Sequence, residues 1–153
     1  MTNSLRPNFF PFHNGSKSLL PFEYNEYSER VSKLRILMES KGIDAALMTS
    51  MQNVAYYSGF LYCSFGRPYG CVITEKDIVT ISAGIDAGQP WRRSAFNSIT
   101  YTDWERDNFW RAVLSVIGSK RVVGYEGDHI TVAQIEKLKG FLSPTLMKDL
   151  SSE

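Results

Sequence analysis

Apolar positions along this chain follow a helical period in some stretches and form short continuous runs in others, and the alternation of the two predicts the elements. Tyr24, Tyr27, Val31, Leu34 and Met38 recur at three- and four-residue spacing, which lines one face of a helix. Pro21 suits the first turn of that helix and Gly42 the position just past its last. Glu26, Glu29, Arg30, Lys33 and Arg35 fall on the opposite face, which reads as solvated. Residues 43–49 then hold a short continuous apolar run, Ala45, Ala46, Leu47 and Met48, as expected of a strand covered on both faces. Residues 50–57 predict a short helix capped by Thr49 or Ser50, with Val54 and Tyr57 facing inward. Residues 70–74 and 78–82 read as two strands joined by Glu75-Lys76-Asp77, a connection short enough for a hairpin.

The second half repeats the alternation. Residues 99–101 are a short strand, and the acids of 103–108 supply capping and first-turn charge to a helix whose face is Trp110, Val113, Leu114 and Ile117, ending at Gly118. Residues 122–125 are the next strand. Thr131 with Gln134 three later is a capping box, opening a helix that carries Ile135, Leu138 and Leu142. Asp128 and His129, just before that cap, read as turn residues rather than a catalytic dyad. Pro144 closes the helix, and residues 145–150 offer a last strand. Helix and strand in this order predict an α/β fold, a mixed β-sheet flanked by helices, the hairpin supplying the antiparallel part.

Three stretches resist a period. Residues 1–20 hold Phe9, Phe10 and Phe12 among Asn, Pro, Gly and Ser, and read as an arm that docks by its phenylalanines or stays mobile, leaving 21–153 as one domain. Residues 83–93 put Trp91, Arg92 and Arg93 behind two glycines and a proline. Residues 56–69 gather six aromatic side chains around Gly59, Gly66 and Pro68, with Arg67 as the one cation. Pro68 lacks a backbone donor and pushes Arg67 towards an extended conformation, so this is a loop. Arginine among aromatics can fork onto a carboxylate while its planar face stacks. The plainer alternative is a loop whose aromatics plug the core and whose arginine is solvated.

Composition narrows the function by exclusion. The chain has 153 residues, 43% hydrophobic and 22% charged, and 17 Lys+Arg against 16 Asp+Glu leave a formal charge of +1. That balance draws it neither to nucleic acid nor to an anionic membrane. No apolar run approaches the roughly 20 residues of a membrane span, and no secretory signal pattern opens the chain, so a cytoplasmic location is expected. Cys63 and Cys71 permit a disulfide on count but read as free thiols packed as small hydrophobes. His13 and His129 have no metal-ligand spacing around them, and neither a nucleophile elbow nor a phosphate loop is present. No complete catalytic set, metal site or cofactor motif is legible.

The run Tyr-Tyr-Ser-Gly-Phe-Leu-Tyr-Cys-Ser-Phe-Gly-Arg-Pro-Tyr at 56–69, with Ile-Ser-Ala-Gly-Ile-Asp-Ala-Gly-Gln-Pro-Trp-Arg-Arg at 81–93 and Tyr-Thr-Asp-Trp-Glu-Arg-Asp-Asn at 101–108, resembles the creatinase, prolidase and aminopeptidase P group, and its creatinase branch in particular. The resemblance covers most of the chain from about Tyr24. It implies a mixed-sheet N-terminal domain followed in the parent by a larger C-terminal domain of pita-bread fold, which carries the catalytic histidine and its supporting carboxylates. The chain ends at Glu153, about where that second domain is expected to begin, so the isolated chain is expected to be inactive. The implied reaction of the creatinase-type parent is hydrolysis of creatine to sarcosine and urea without a metal or other cofactor. The implied partners are creatine or a related guanidino acid, the C-terminal domain and a second subunit. Phe65 and Arg67 are the implied substrate-binding residues, reaching across a dimer interface, Phe65 as a flat wall for the guanidinium and Arg67 as a fork for the carboxylate. Trp91, Arg92 and Arg93 are assigned only to packing or to the dimer contact. The alternatives are an Xaa-Pro peptidase-like metallohydrolase parent and a stand-alone, non-catalytic binding module.

Overall fold

A computed structural model describes residues 6–61, 66–86, 88–119 and 121–152. Its centre is a seven-stranded mixed sheet. In chain order the strands are β1 (Phe9–Pro11), β2 (Ala45–Met48), β3 (Gly70–Thr74), β4 (Ile78–Ala83), β5 (Asn97–Tyr101), β6 (Val122–Tyr125) and β7 (Leu146–Asp149). The helices are α1 (Tyr24–Ser40), α2 (Met51–Ser58), the short α3 (Pro90–Arg93), α4 (Asn108–Ile117) and α5 (Val132–Leu142). Across the sheet the strands run β1-β5-β4-β3-β2-β6-β7. β3 is antiparallel to β2 and β4, and β1 to β5; the pairs β4/β5, β2/β6 and β6/β7 are parallel.

Burial explains why β2 is apolar without a break. Ala45 and Leu47 face one side with Val72, Val113 of α4 and Leu138 of α5, whereas Ala46 and Met48 face the other with Ile73, Val31 of α1 and Val54 of α2. Helices thus cover both faces of the sheet. Each fully buried Leu, Ile or Val on these faces contributes about 1.5–3 kcal/mol of transfer free energy. The larger core, with Phe109 and Trp110 of α4, lies on the α4/α5 side.

The expected helices and strands from 24 to 150 are all present, with instructive departures. α1 starts at Tyr24 rather than at Pro21, and Glu23 precedes it without a side-chain cap. Tyr27, Val31, Leu34 and Met38 are buried as the spacing predicts, but Tyr24 is 58% exposed and meets Phe96 edge-on. Arg35, expected in solvent, turns back so that its Nε donates to Thr74 O at 2.8 Å and braces the hairpin. Asp107 precedes α4 with φ at 67° and no side-chain cap; its carboxylate pairs with Lys137 at 2.7 Å. The capping box of Thr131 and Gln134 is present in full.

The arm is more ordered than its composition suggests. Phe9–Pro11 pairs as an edge strand with Ile99–Tyr101, a partnership that no local period announces. Beyond it, Trp91 forms a post for the chain: its Nε1 donates to Gly15 O at 2.7 Å, the His13 ring stacks on it at 3.9 Å, and Lys17 Nζ lies 3.5 Å from the ring centre. Ser18 N donates to Arg92 O at 2.7 Å. The segment 83–93, read as irregular, therefore contains a helical turn whose tryptophan packs the arm.

Candidate functional site

Strand direction decides where a site can form. β2, β4, β5, β6 and β7 all point one way, so their carboxyl ends, together with the start of β3, share one rim of the sheet. Open α/β sheets bind ligands at such a rim. Arg67 stands on it, in the connection from α2 to β3. That connection leaves α2 through Gly59, whose φ of 82° ends the helix with its N–H on Ala55 O, and then plugs the core with Phe60 and Tyr69, both buried. It re-enters the sheet at Gly70, where a Cβ would lie 2.9 Å from Met48 O. Two roles thus divide along one loop. Phe60 and Tyr69 pack, while the Arg67 side chain, 42% exposed, faces outward.

Arg67 meets the next segment of the same rim, the turn between β5 and α4. Its Nη1 forms an ion pair with Asp103 Oδ2, and the Tyr101 hydroxyl donates to Pro68 O at 2.7 Å beside it. The hydrogen bond and charge of Asp103 hold the Arg67 guanidinium above its ordinary range, with smaller contributions from Tyr101 and Asp86. A cavity of about 470 Å³ opens here, lined by Arg67, Pro68, Asp103, Asp107, Asn108 and Lys137 among others. A larger one, about 590 Å³, opens at the opposite rim beside the hairpin turn, away from Arg67. Phe65, the other expected substrate-binding residue, lies outside the described residues, as does Cys63. Cys71 is a buried free thiol, pushed up to about 12 by burial, which makes it unreactive. Among the described residues no group of three or more His, Cys, Asp or Glu is placed to hold a metal ion. No helix among them is long and apolar enough to cross a membrane.

A second charged constellation on the rim was not anticipated. Glu126, just after β6, is 3% exposed, and its carboxylate gathers the chain around the start of α2. The Thr49 and Ser50 backbone N–H groups donate to Oε2, the latter at 2.8 Å; the Ser50 hydroxyl and Asn53 Nδ2 each donate to Oε1 at 2.5 Å. Burial raises its pKa, but these hydrogen bonds outweigh that and hold the carboxyl below the usual glutamate range. His129 reaches the same knot through Nδ1 to Thr49 Oγ1 at 2.9 Å, while Asp128 turns to Ser151. The two are separate turn residues, as read from the sequence. The signal that could have exposed Glu126 is a lone carboxylate closing a buried strand.

The comparisons with known proteins agree with the fold. The family model for the creatinase/prolidase N-terminal domain matches residues 30–153. The chain belongs to that family. Among relatives of this N-terminal domain, creatinase of Bacillus sp. (strain B-0618) is 44% identical over 143 residues, covering 90% of this chain and 35% of the relative, so the chain spans about a third of that protein's length. Among solved structures, the creatinase/prolidase N-terminal domain of an X-Pro dipeptidase from Streptococcus pyogenes superposes with a TM-score of 0.72 at 17% identity, over 81% of this chain and 95% of that one. Prolidase from Pyrococcus horikoshii OT3 gives 0.65 at 22% identity, over 81% of this chain and 33% of that one. These two show the shared fold.

Proposed function

We propose that this creatinase/prolidase N-terminal domain completes the substrate site of a creatinase-type amidinohydrolase, which hydrolyses creatine to sarcosine and urea, and that it also forms part of a homodimer contact. The observation that carries the reading is Arg67, an outward-facing guanidinium at the carboxyl rim of the sheet, in a chain 44% identical to a creatinase. Creatine is a zwitterion with a guanidinium at one end and a carboxylate at the other. Arg67 offers a planar fork to the carboxylate, and Phe65 offers a ring over which the guanidinium lies. The acid-base chemistry belongs to the C-terminal domain of the parent, so the 153-residue chain alone turns over nothing. Creatine or a related guanidino acid is the ligand, and the setting is cytoplasmic.

The test is urea release from creatine by the full-length polypeptide containing this domain, with Arg67→Ala beside it. Losing a charge-assisted pair made to the reacting substrate lowers kcat/KM by about thirty- to a thousandfold. Arg67→Lys restores part of the loss, because a point charge cannot fork. Full activity in Arg67→Ala would remove Arg67 from the substrate site, and urea release by the isolated domain would overturn its assignment as a completing part.

A further inference from the structure

One partner of Arg67 in this structure, Asp103, is itself a carboxylate, the group that the reading above asks Arg67 to bind. Resting on that reading, we infer that Asp103 is a resident competitor: it occupies the Arg67 guanidinium until an incoming ligand carboxylate displaces it, and it thereby sets the KM.

The backbone of Asp103 is prepared for this position, while its side chain is left open. Thr102, one residue earlier, is tied on several sides: its N–H donates to Asn8 O at 2.9 Å, its hydroxyl to Pro7 O at 2.8 Å, and its carbonyl accepts from Asn108 Nδ2 at 2.9 Å. Asn108 is buried at the start of α4, so Asp103 hangs from a fixed point between sheet, arm and helix. On the other side, Pro68 O is held by the Tyr101 hydroxyl, which fixes the backbone next to Arg67. The loop and β5 are therefore joined before the ion pair is counted. Yet the two charged side chains are 42% and 55% exposed, and the cavity beside them admits a small ligand.

An ion pair this exposed is screened and weak, so a better-placed carboxylate can take its place. Until then Asp103 holds the guanidinium on the rim and keeps the cation partly neutralised. Removing the negative charge while keeping the shape takes away the Asp103 carboxylate that the ligand has to displace. The effect falls on binding and not on the chemical step, whose groups lie in the other domain.

The experiment measures kcat and KM for creatine, by urea release, in the full-length polypeptide and its Asp103→Asn, Asp103→Glu, Arg67→Ala and Asp103→Asn/Arg67→Ala variants, at matched ionic strength. Asp103→Asn is expected to lower KM by about two- to fivefold at unchanged kcat, the range an exposed ion pair supports. Asp103→Glu, which keeps the carboxylate, is expected to stay near the wild-type KM. In the Arg67→Ala background the Asn substitution is expected to change nothing, since the coupling runs through the guanidinium. An unchanged or raised KM in Asp103→Asn, with Arg67→Ala impaired, overturns the competitor and leaves the substrate-site reading intact. A wild-type KM in Arg67→Ala overturns that reading, and the inference with it.

Discussion

Glu126 and Arg67 stand on the same rim of the same sheet, each in a charged cluster that joins segments distant in sequence, and they are held in opposite ways. Glu126 is buried and met by donors from Thr49, Ser50 and Asn53, so every oxygen is committed and α2 is pinned to the end of β6. The Arg67 side chain is paired with an exposed carboxylate in a region that Tyr101 and Pro68 already join. A buried carboxylate is tolerated only when over-satisfied, whereas a ligand-binding cation has to remain accessible. The first cluster serves the fold and the second can serve a ligand.

The sharpest test of that contrast is to empty the knot. Glu126→Ala leaves several buried donors without an acceptor and is expected to lower the free energy of unfolding by roughly 3–5 kcal/mol in a denaturant titration. Glu126→Gln keeps the volume but turns one acceptor into a donor facing other donors, and is expected to cost about 2 kcal/mol. A wild-type midpoint in the glutamine variant would mean that the charge does not hold α2.

Acid probes the same group with no mutation. Because the folded-state pKa of Glu126 lies below its ordinary 4.5, its contribution is complete above about pH 4.5 and is lost as the pH falls through the lower folded value. Denaturant midpoints between pH 6 and pH 3 are expected to fall more steeply in the wild type than in Glu126→Gln. Parallel curves would assign acid sensitivity to other carboxylates.

Ser50→Ala removes both the cap of α2, where Ser50 Oγ accepts from Asn53 N at 3.1 Å, and one donor to Glu126. It is expected to cost about 1–2 kcal/mol in the same titration. At the small end, Asp103→Asn is expected to leave the unfolding midpoint where it was, since exposed pairs contribute little to stability. A large loss there would make the Arg67–Asp103 pair a structural element and erase the distinction between the two regions.

Much of the fold was legible because its signals are local. Val31, Leu34 and Met38 follow from spacing, the capping box from Thr131 and Gln134, and the hairpin from three polar residues between two apolar runs. Tyr24 and Arg35 were misplaced because burial depends on what arrives from elsewhere: Tyr24 lies beyond the sheet's cover, and Arg35 finds the carbonyl of Thr74. Of the candidate site, the loop position of Arg67 was legible from its proline neighbour, while a substrate-binding role was implied only by the family resemblance. Its pairing with Asp103 was not legible, for they are far apart in the chain and are brought together by the β3/β4 and β4/β5 pairings and the Tyr101 bond.

The sequence by itself determined the helices and strands between 24 and 150 except the short α3, and where most helices stop, because backbone sterics, capping and side-chain period act within a few residues. Tertiary structure alone decided the strand order, the addition of Phe9–Pro11 at the sheet edge, the burial of Glu126 and the Arg67–Asp103 pair. Each of these depends on which distant surfaces meet, and that is settled by burying the apolar faces of all the elements together.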